Sequence, residues 1–199
     1  DGFDNAAHQL ISNFDLIVGY DAMARKVVAG IADKKGFLSQ VAGCSDANET
    51  CAGALVDKLS TLLFRGPASA AEKTALGKVA AAARAESATF EETGALLLEA
   101  MLQSPRFVYR IEDTRGEGGR KPVSPFELAS RLSYALWGTA PDEPLLAAAR
   151  SGKLGEEREL AAQIDRLLAS PRSFDAARRF YDDWLDLRRL DVLERNTQR

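Results

Sequence analysis

Helix-start signals recur along this sequence and constrain its fold more than any other feature. Ser69 and Thr89 are each followed three residues later by Glu, and Ser124 is followed by Pro125 and then by Glu127. In such a capping box, the hydroxyl and the carboxylate each satisfy a backbone N–H that the first helical turn leaves unpaired. Proline is favoured at the first helical position. These sites predict helices that begin at about residues 70, 90 and 125.

Apolar residues recur every three or four positions between these signals, which indicates further helices. They begin near Phe14, Leu55, Pro141, Leu160 and Phe174. The only strand-like stretch, residues 107–109, is too short and isolated to build a sheet. We therefore predict an all-α fold, a multi-helix bundle of about seven to nine helices with no significant sheet.

A polar, Gly-rich stretch that ends at Pro122 is the clearest boundary in the chain. It predicts an N-terminal helical subdomain at 1–113, a Gly-rich linker or loop at 114–121, and a C-terminal helical subdomain at 122–199. The stretch is equally compatible with a hinge and with a simple exposed loop.

The charge and hydropathy patterns exclude two classes of partner. The net charge is -3, with acids and bases interspersed. A nucleic-acid binder is expected to carry a basic stripe, so no nucleic acid is predicted to bind. No apolar run reaches the roughly 18 residues that a transmembrane helix requires.

The chain opens at Asp1 without Met, which indicates a processed product or a portion of a longer protein.

The two cysteines, Cys44 and Cys51, lie in a polar stretch with six residues between them. This spacing fits no zinc or haem-attachment motif. They are either two free thiols or a disulfide that closes a short loop before a helix, and we favour the disulfide. Such a loop would contribute about 2–3 kcal/mol and would place the protein in an oxidising compartment such as a periplasm.

The search for catalytic chemistry is mostly negative. The one histidine, His8, would have to serve any Ser-His-Asp triad, and no G-x-S-x-G motif is present. We predict no metal site and no cofactor bound by this chain, and the catalytic residues, if any, are unknown. Asp182 and Asp186, four residues apart, could share a helical face as an acid/base pair. The alternative, which we favour, is a solvated face of ion pairs around a buried Trp184.

A short internal echo links two helix ends. Ser104-Pro105-Arg106 and Ser170-Pro171-Arg172 each come after a strong helix. A duplicated unit with paired sites is one interpretation. The other interpretation, which we favour, is a shared signal that ends one helix and begins the next. Pro disfavours helical geometry in the preceding Ser, and that Ser caps the next segment.

Several segments resemble, in order, a family of secreted domains of unknown function first catalogued in planctomycetes and also common in myxobacteria. They are Gly2 to Asn5, Leu63-Phe64-Arg65-Gly66-Pro67, Glu99 to Arg110, Glu127 to Asp142 and Trp184 to Leu190. The run Leu-Ala-Ser-Arg-Leu-Ser-Tyr followed by Trp-Gly is the most specific of these. Gly66 stands where the family usually has a second Arg, which weakens any role for an Arg pair.

The resemblance implies a setting rather than a reaction. Such domains usually extend on both sides of this stretch and are often joined to, or encoded with, c-type cytochrome domains. This implies a periplasmic or extracellular location, supports the disulfide, and makes other chains or segments of the same precursor the expected partners. The sequence has no C-x-x-C-H motif, so any haem c would belong to a partner chain or a missing segment.

Two functions remain open from the sequence. The first is a helical structural or interaction module of a larger secreted or periplasmic assembly, associated with a c-type cytochrome electron-transfer partner. The second is a fragment of a periplasmic enzyme, redox or hydrolytic, whose reactive groups lie partly outside this chain. The second predicts a deep pocket into which buried side chains of Arg131, Tyr134 or Asp186 point.

Overall fold

The chain is helical throughout the part that a computed structural model describes, residues 14–112 and 123–187. In these ranges there are ten α-helices, one 3-10 turn and no strand, which confirms the all-α prediction. Eight helices have eight residues or more, and the other two are short. The helices are α1 Phe14–Ala32, α2 Phe37–Ala42, α3 Glu49–Leu63, α4 Ala70–Ala85, α5 Phe90–Leu102, α6 Pro105–Val108, α7 Pro125–Trp137, α8 Glu143–Arg150, α9 Glu157–Leu168 and α10 Pro171–Trp184, with the 3-10 turn at Lys153–Gly155.

The described residues fall into two compact units. We call residues 14–112 with 123–127 the N-terminal unit, and residues 128–187 the C-terminal unit. The predicted linker at 114–121 lies outside the described residues, as does His8. The predicted subdomains at 1–113 and 122–199 therefore stay a prediction.

Helix α5 is the centre of the N-terminal unit and packs against α1, α2, α3 and α4. Its side chains Leu97 and Met101 are fully buried, and they meet Leu38 from α2 and Leu55 from α3 in one core cluster. At about 25 cal/mol per Å² of apolar surface removed from water, such side chains supply the main driving force for folding.

The C-terminal unit has its own core. Leu145 and Leu146 from α8, Leu154 from the 3-10 turn and Leu167 from α9 are fully buried. Trp137, at the end of α7, is 3% exposed. The apolar spacing after Ser124 predicts that α7 buries Trp137 and the leucines at 128, 132 and 136. Trp137 is buried, whereas the three leucines are only half-buried.

The predicted capping boxes are present. Ser69 and Thr89 each accept a hydrogen bond from the N–H of the Glu three residues on, and that Glu accepts one in return. Ser124 and Glu127 make the same reciprocal pair, at 2.7 and 3.2 Å. Local sequence therefore determines where α4, α5 and α7 begin.

Two segments differ from the prediction. The polar, Gly-containing stretch from Lys35 to Thr50 predicts a connection between helices, but it contains the short helix α2. The first N–H groups of α2 are satisfied by a residue distant in sequence: Leu38 and Ser39 both donate to the Glu91 carboxylate of α5, at 3.3 and 2.9 Å. The strand-like triplet at 107–109 belongs mainly to α6, because Ser104 caps a helical turn there.

Two glycines in the N-terminal unit make a matched test of this packing. A Cβ on Gly94 of α5 would lie 2.9 Å from methyl groups of Leu38 and Leu55, whereas one on Gly77 of α4 would meet nothing within 4 Å. Gly94→Ala should lower the free energy of unfolding by about 1 kcal/mol, because overpacking outweighs the helix gain. Gly77→Ala should raise it by about 0.5–1 kcal/mol. Urea denaturation followed by circular dichroism measures both, and equal effects would contradict this packing.

Candidate functional site

The candidate site is built around Trp137, the last residue of α7. Its indole Nε1 donates a hydrogen bond to the carbonyl of Leu167 at 2.8 Å, which fixes the buried ring against the end of α9. Gly138 then adopts a φ of 68°, in the left-handed region that favours glycine. The helix ends there, as expected of a glycine that follows the last helical residue.

An open depression in the surface, of about 410 Å³, lies beside this residue, and we call it the Trp137 cavity. It is lined by Trp137, Thr139, Ala140, Arg172, Asp175 and Arg179. The first three lie at or just after the end of α7, and the last three come from α10. The most specific part of the family-like sequence, the Trp-Gly segment, therefore forms one wall.

Three arginines surround the Trp137 side chain and its carbonyl. The guanidinium carbons of Arg172 and Arg166 lie 4.9 and 5.7 Å from the centre of the indole ring. A cation over a tryptophan ring is attracted by its π-electrons. Arg179 Nη2 donates to the Trp137 carbonyl at 2.8 Å, one of the carbonyls that a helix end leaves without an intrahelical partner. A Cβ on Gly138 would lie 2.7 Å from that nitrogen.

The guanidinium group of Arg166 also forms a two-pronged salt bridge with Asp142. Its two terminal nitrogens donate to the two Asp142 oxygens at 2.7 and 2.9 Å, and Asp142 also accepts from the backbone N–H of Leu145 as the cap of α8. Burial works to raise the pKa of Asp142. The hydrogen bonds from Arg166 and Leu145, with the charges of Arg166 and Arg172, outweigh it and hold the pKa below its usual 3.8.

This geometry predicts an acid-sensitive C-terminal unit. Because the pKa of folded Asp142 is depressed, its contribution to stability is present above pH 3.8, the usual pKa, and is lost as the pH falls through the folded value. Asp142→Asn should therefore lower the free energy of unfolding at pH 7 more than at pH 3. Glu143→Gln, which removes an exposed carboxylate from the same helix, is the control and should change stability little at either pH. A constant Asp142→Asn effect across this range would contradict the assignment.

A second arginine-centred arrangement lies in the N-terminal unit. Arg65 is 8% exposed and has a φ of 58°. Its guanidinium donates to the carbonyls of Tyr109 at 2.8 Å and Phe107 at 3.3 Å, and also to that of Arg106. These carbonyls lie in and just after α6, so one side chain holds the end of that helix. We call this arrangement the Arg65 clamp.

The residue after Arg65 explains why one arginine suffices. Gly66 is buried, and a Cβ there would lie 3.3 Å from Cβ of Phe126. The space that a second arginine would enter is thus partly filled by the start of α7. Arg65 therefore joins the Leu-Phe-Arg-Gly-Pro segment to the Ser-Pro-Arg segment without a second arginine beside it.

The repeated Ser-Pro-Arg motif, at Ser104 and at Ser170, does more than end one helix and begin the next. Both serines cap the next helix by accepting from the N–H of the arginine two residues on. Those arginines then occupy equivalent places: Arg106 lies 5.5 Å from the centre of the Phe64 ring, and Arg172 lies 4.9 Å from that of Trp137. The interpretation as a simple shared signal is therefore incomplete. The echo was the signal that could have identified Arg172 from the sequence.

The residues predicted to line a pocket lie as follows. Arg131 is exposed and Tyr134 half-buried, both on α7. Asp186 is exposed and comes after the end of α10, with a φ of 51°. None of the three lines the Trp137 cavity, and their pocket stays a prediction.

The last helix also differs from its prediction. Because α10 ends at Trp184, Asp182 and Asp186 do not share a helical face. Trp184 is 60% exposed rather than buried. On this helix Arg178 pairs with Asp175, at 4.0 Å.

Cys44 and Cys51 form a disulfide, with Cα atoms 5.9 Å apart. The bridge closes the polar loop before α3, which Asn48 caps by accepting from the N–H of Cys51 at 2.8 Å.

Within residues 14–112 and 123–187, no group of three or more His, Cys, Asp or Glu side chains could hold a metal ion. No described helix is both long and apolar enough to cross a membrane.

Comparison with known families gives two matches. Residues 51–112 match the family described as PSD5, protein of unknown function (DUF1595), and residues 123–199 match PSD4, protein of unknown function (DUF1592). The first range contains the Arg65 clamp and the second the Trp137 cavity. The chain thus carries two domains of unknown function, as the sequence resemblance indicated. Searches of curated proteins and of solved structures found no match.

Proposed function

We propose that this chain is a helical interaction module of a larger secreted or periplasmic assembly. One observation carries the proposal: α10 contains no buried residue, although apolar side chains recur along it. Phe174, Phe180, Tyr181, Trp184 and Leu185 are each more than half exposed. We call these five residues the α10 aromatic face.

The α10 aromatic face has the chemistry of a protein interface. The rings of Phe180, Tyr181 and Trp184 lie 5.6–6.0 Å apart, in tilted or edge-on contact. Contiguous exposed apolar patches mark interaction sites, and interface cores are enriched in Phe, Tyr and Trp. Burying these rings against a partner would supply the hydrophobic driving force that they do not supply to this chain's own core.

The setting is supported by the disulfide and by the sequence resemblance. A bridge such as Cys44–Cys51 persists in secreted and periplasmic proteins and is rare in the reducing cytosol. We propose a protein that carries c-type haem as the partner, either a separate chain or a segment of the same precursor. The support is the resemblance, since domains of this kind are often joined to, or encoded with, c-type cytochrome domains. The haem would belong to that partner, and the assembly would serve electron transfer.

The second candidate is a fragment of a periplasmic enzyme, redox or hydrolytic. The Trp137 cavity favours it, because cavities of about 300–1,000 Å³ commonly bind small molecules. Among its six lining residues, the side chain that could act as a general base is the exposed carboxylate of Asp175. The predicted pocket of Arg131, Tyr134 and Asp186 would have to supply the other catalytic groups. The exposed face of α10 therefore makes the interaction module the better-supported function.

Native mass spectrometry of the assembly, purified from its source without reductant, tests the proposal. We expect this chain to copurify with a haem-bearing protein at fixed stoichiometry, and its own mass to rise by about two hydrogens on reduction of the disulfide. Trp184→Ala should abolish copurification, while Glu86→Ala, an exposed change at the end of α4, should not. A chain that purifies alone and without haem, or a complex that survives Trp184→Ala, would overturn the proposal.

A further inference from the structure

We propose that the Trp137 cavity is a binding site for a small organic monocarboxylate with an apolar body. The proposal is independent of the partner of α10 and rests on the cavity itself. Its wall brings together two guanidinium groups, one carboxylate and the apolar surface of Ala140 beside the buried Trp137.

The two guanidinium groups retain donors for a ligand. In the described part of the chain, neither Arg172 nor Arg179 forms a salt bridge with a carboxylate. Arg172 stacks on the indole, and Arg179 uses one terminal nitrogen for the Trp137 carbonyl. Arg166 is the contrast within the same group, because Asp142 already takes both of its terminal nitrogens.

The charge of the wall selects the class of anion. Arg172 and Arg179 against Asp175 give a net formal charge of +1. Among the residues that the structure describes, Asp175 pairs with Arg178 at 4.0 Å, and both side chains are more than half exposed, so this pair is weak. The Asp175 carboxylate therefore opposes a second negative charge. A planar guanidinium also matches the two oxygens of a carboxylate. Together these features favour a monocarboxylate over sulfate or a phosphate dianion.

The size of the cavity requires more than the carboxylate alone. A volume of about 410 Å³ lies within the range of sites for small organic ligands. The cavity also borders the exposed Ala140, which suits an apolar substituent. The ligand we infer has its carboxylate beside Arg172 and Arg179 and its hydrocarbon part toward the end of α7.

Benzoate is a suitable probe, and the test is calorimetric titration of the full chain at pH 7 with benzoate, sulfate and benzyl alcohol. We expect saturable benzoate binding with a Kd of about 1 mM or tighter, and at least tenfold weaker binding of sulfate and of the uncharged alcohol. Arg172→Gln should weaken benzoate binding about tenfold, as expected for a lost charge-assisted hydrogen bond. Arg158→Gln, an exposed change on α9 outside the cavity wall, should leave it unchanged.

Each alternative result would overturn the proposal. No saturation by benzoate would show that the cavity is not a site, and equal affinity for sulfate would show a nonspecific cationic surface. A third variant, Arg179→Gln, should also weaken benzoate binding. Because this change removes the bond to the Trp137 carbonyl as well, the fold of the variant is checked by circular dichroism before its benzoate affinity is compared. Arg172→Gln supplies the decisive comparison, since the Arg172 side chain stacks on the indole and does not hold that carbonyl. Unchanged benzoate affinity in Arg172→Gln would contradict the assignment.

Discussion

Replacing Arg65 by Ala should lower the free energy of unfolding of the N-terminal unit by about 2–4 kcal/mol. The change leaves at least three carbonyls at the end of α6 without their charged donor. Hydrogen bonds to charged groups contribute about 1.5–3 kcal/mol, and a buried acceptor left unpaired carries a further penalty. Chemical denaturation followed by circular dichroism at 222 nm measures the loss.

Three further variants separate the hydrogen bonds of Arg65 from its backbone strain. Arg65→Gly also removes the bonds but relieves the φ of 58°, so it should be less destabilising than Arg65→Ala by about 1 kcal/mol. Arg65→Lys keeps the charge without the planar fork and should recover part of the loss. Lys73→Ala breaks an exposed ion pair with Asp57 and should cost less than about 1 kcal/mol. An Arg65→Ala effect no larger than that of Lys73→Ala would show that the clamp does not stabilise the fold.

Substitution by Ala should destabilise the chain strongly at Trp137 and hardly at all at Trp184. Trp137→Ala should cost about 3–5 kcal/mol, the usual range for deleting a large buried aromatic, and it removes the surface on which Arg172 and Arg166 stack. Trp184→Ala should change stability by less than about 0.5 kcal/mol, because its side chain is 60% exposed. Circular dichroism is the appropriate readout, since both substitutions alter fluorescence.

Trp137→Phe refines this comparison. The ring volume is largely kept, but the hydrogen bond from Nε1 to the Leu167 carbonyl is lost. We expect a cost of about 1–3 kcal/mol, the penalty for an unpaired buried acceptor. If Trp184→Ala destabilised the chain as much as Trp137→Ala, Trp184 would belong to the core and the α10 aromatic face would not exist as described.

The elements that sequence predicts well have local determinants. The capping boxes at Ser69, Thr89 and Ser124 need only residues three positions apart, so α4, α5 and α7 begin where expected. Helix α2 cannot be predicted from local sequence, because its first turn is capped by Glu91, more than fifty residues away. A six-residue helix depends on such tertiary contacts, since isolated helices of that length are not stable.

The site is harder to predict for a related reason. Apolar spacing along α10 identifies which side chains share a face, but not whether the chain itself covers that face. Trp184 was therefore expected in the core and is instead exposed. The Trp137 cavity depends on α7 and α10 meeting about forty residues apart in sequence, as in the bond from Arg179 to the Trp137 carbonyl. Only the Ser-Pro-Arg echo hinted at Arg172.

Photo-crosslinking in the native cell tests the interaction-module function most directly. A benzoylphenylalanine replaces Tyr181 in the α10 aromatic face or, as the control, Ala81 on the exposed side of α4. The adducts are identified by mass spectrometry under non-reducing conditions. We predict a single adduct from position 181 with a protein that carries covalently bound haem, lost when Trp184→Ala is added, and no adduct from position 81. No adduct at 181, or the same products at both positions, would contradict the function proposed for this chain.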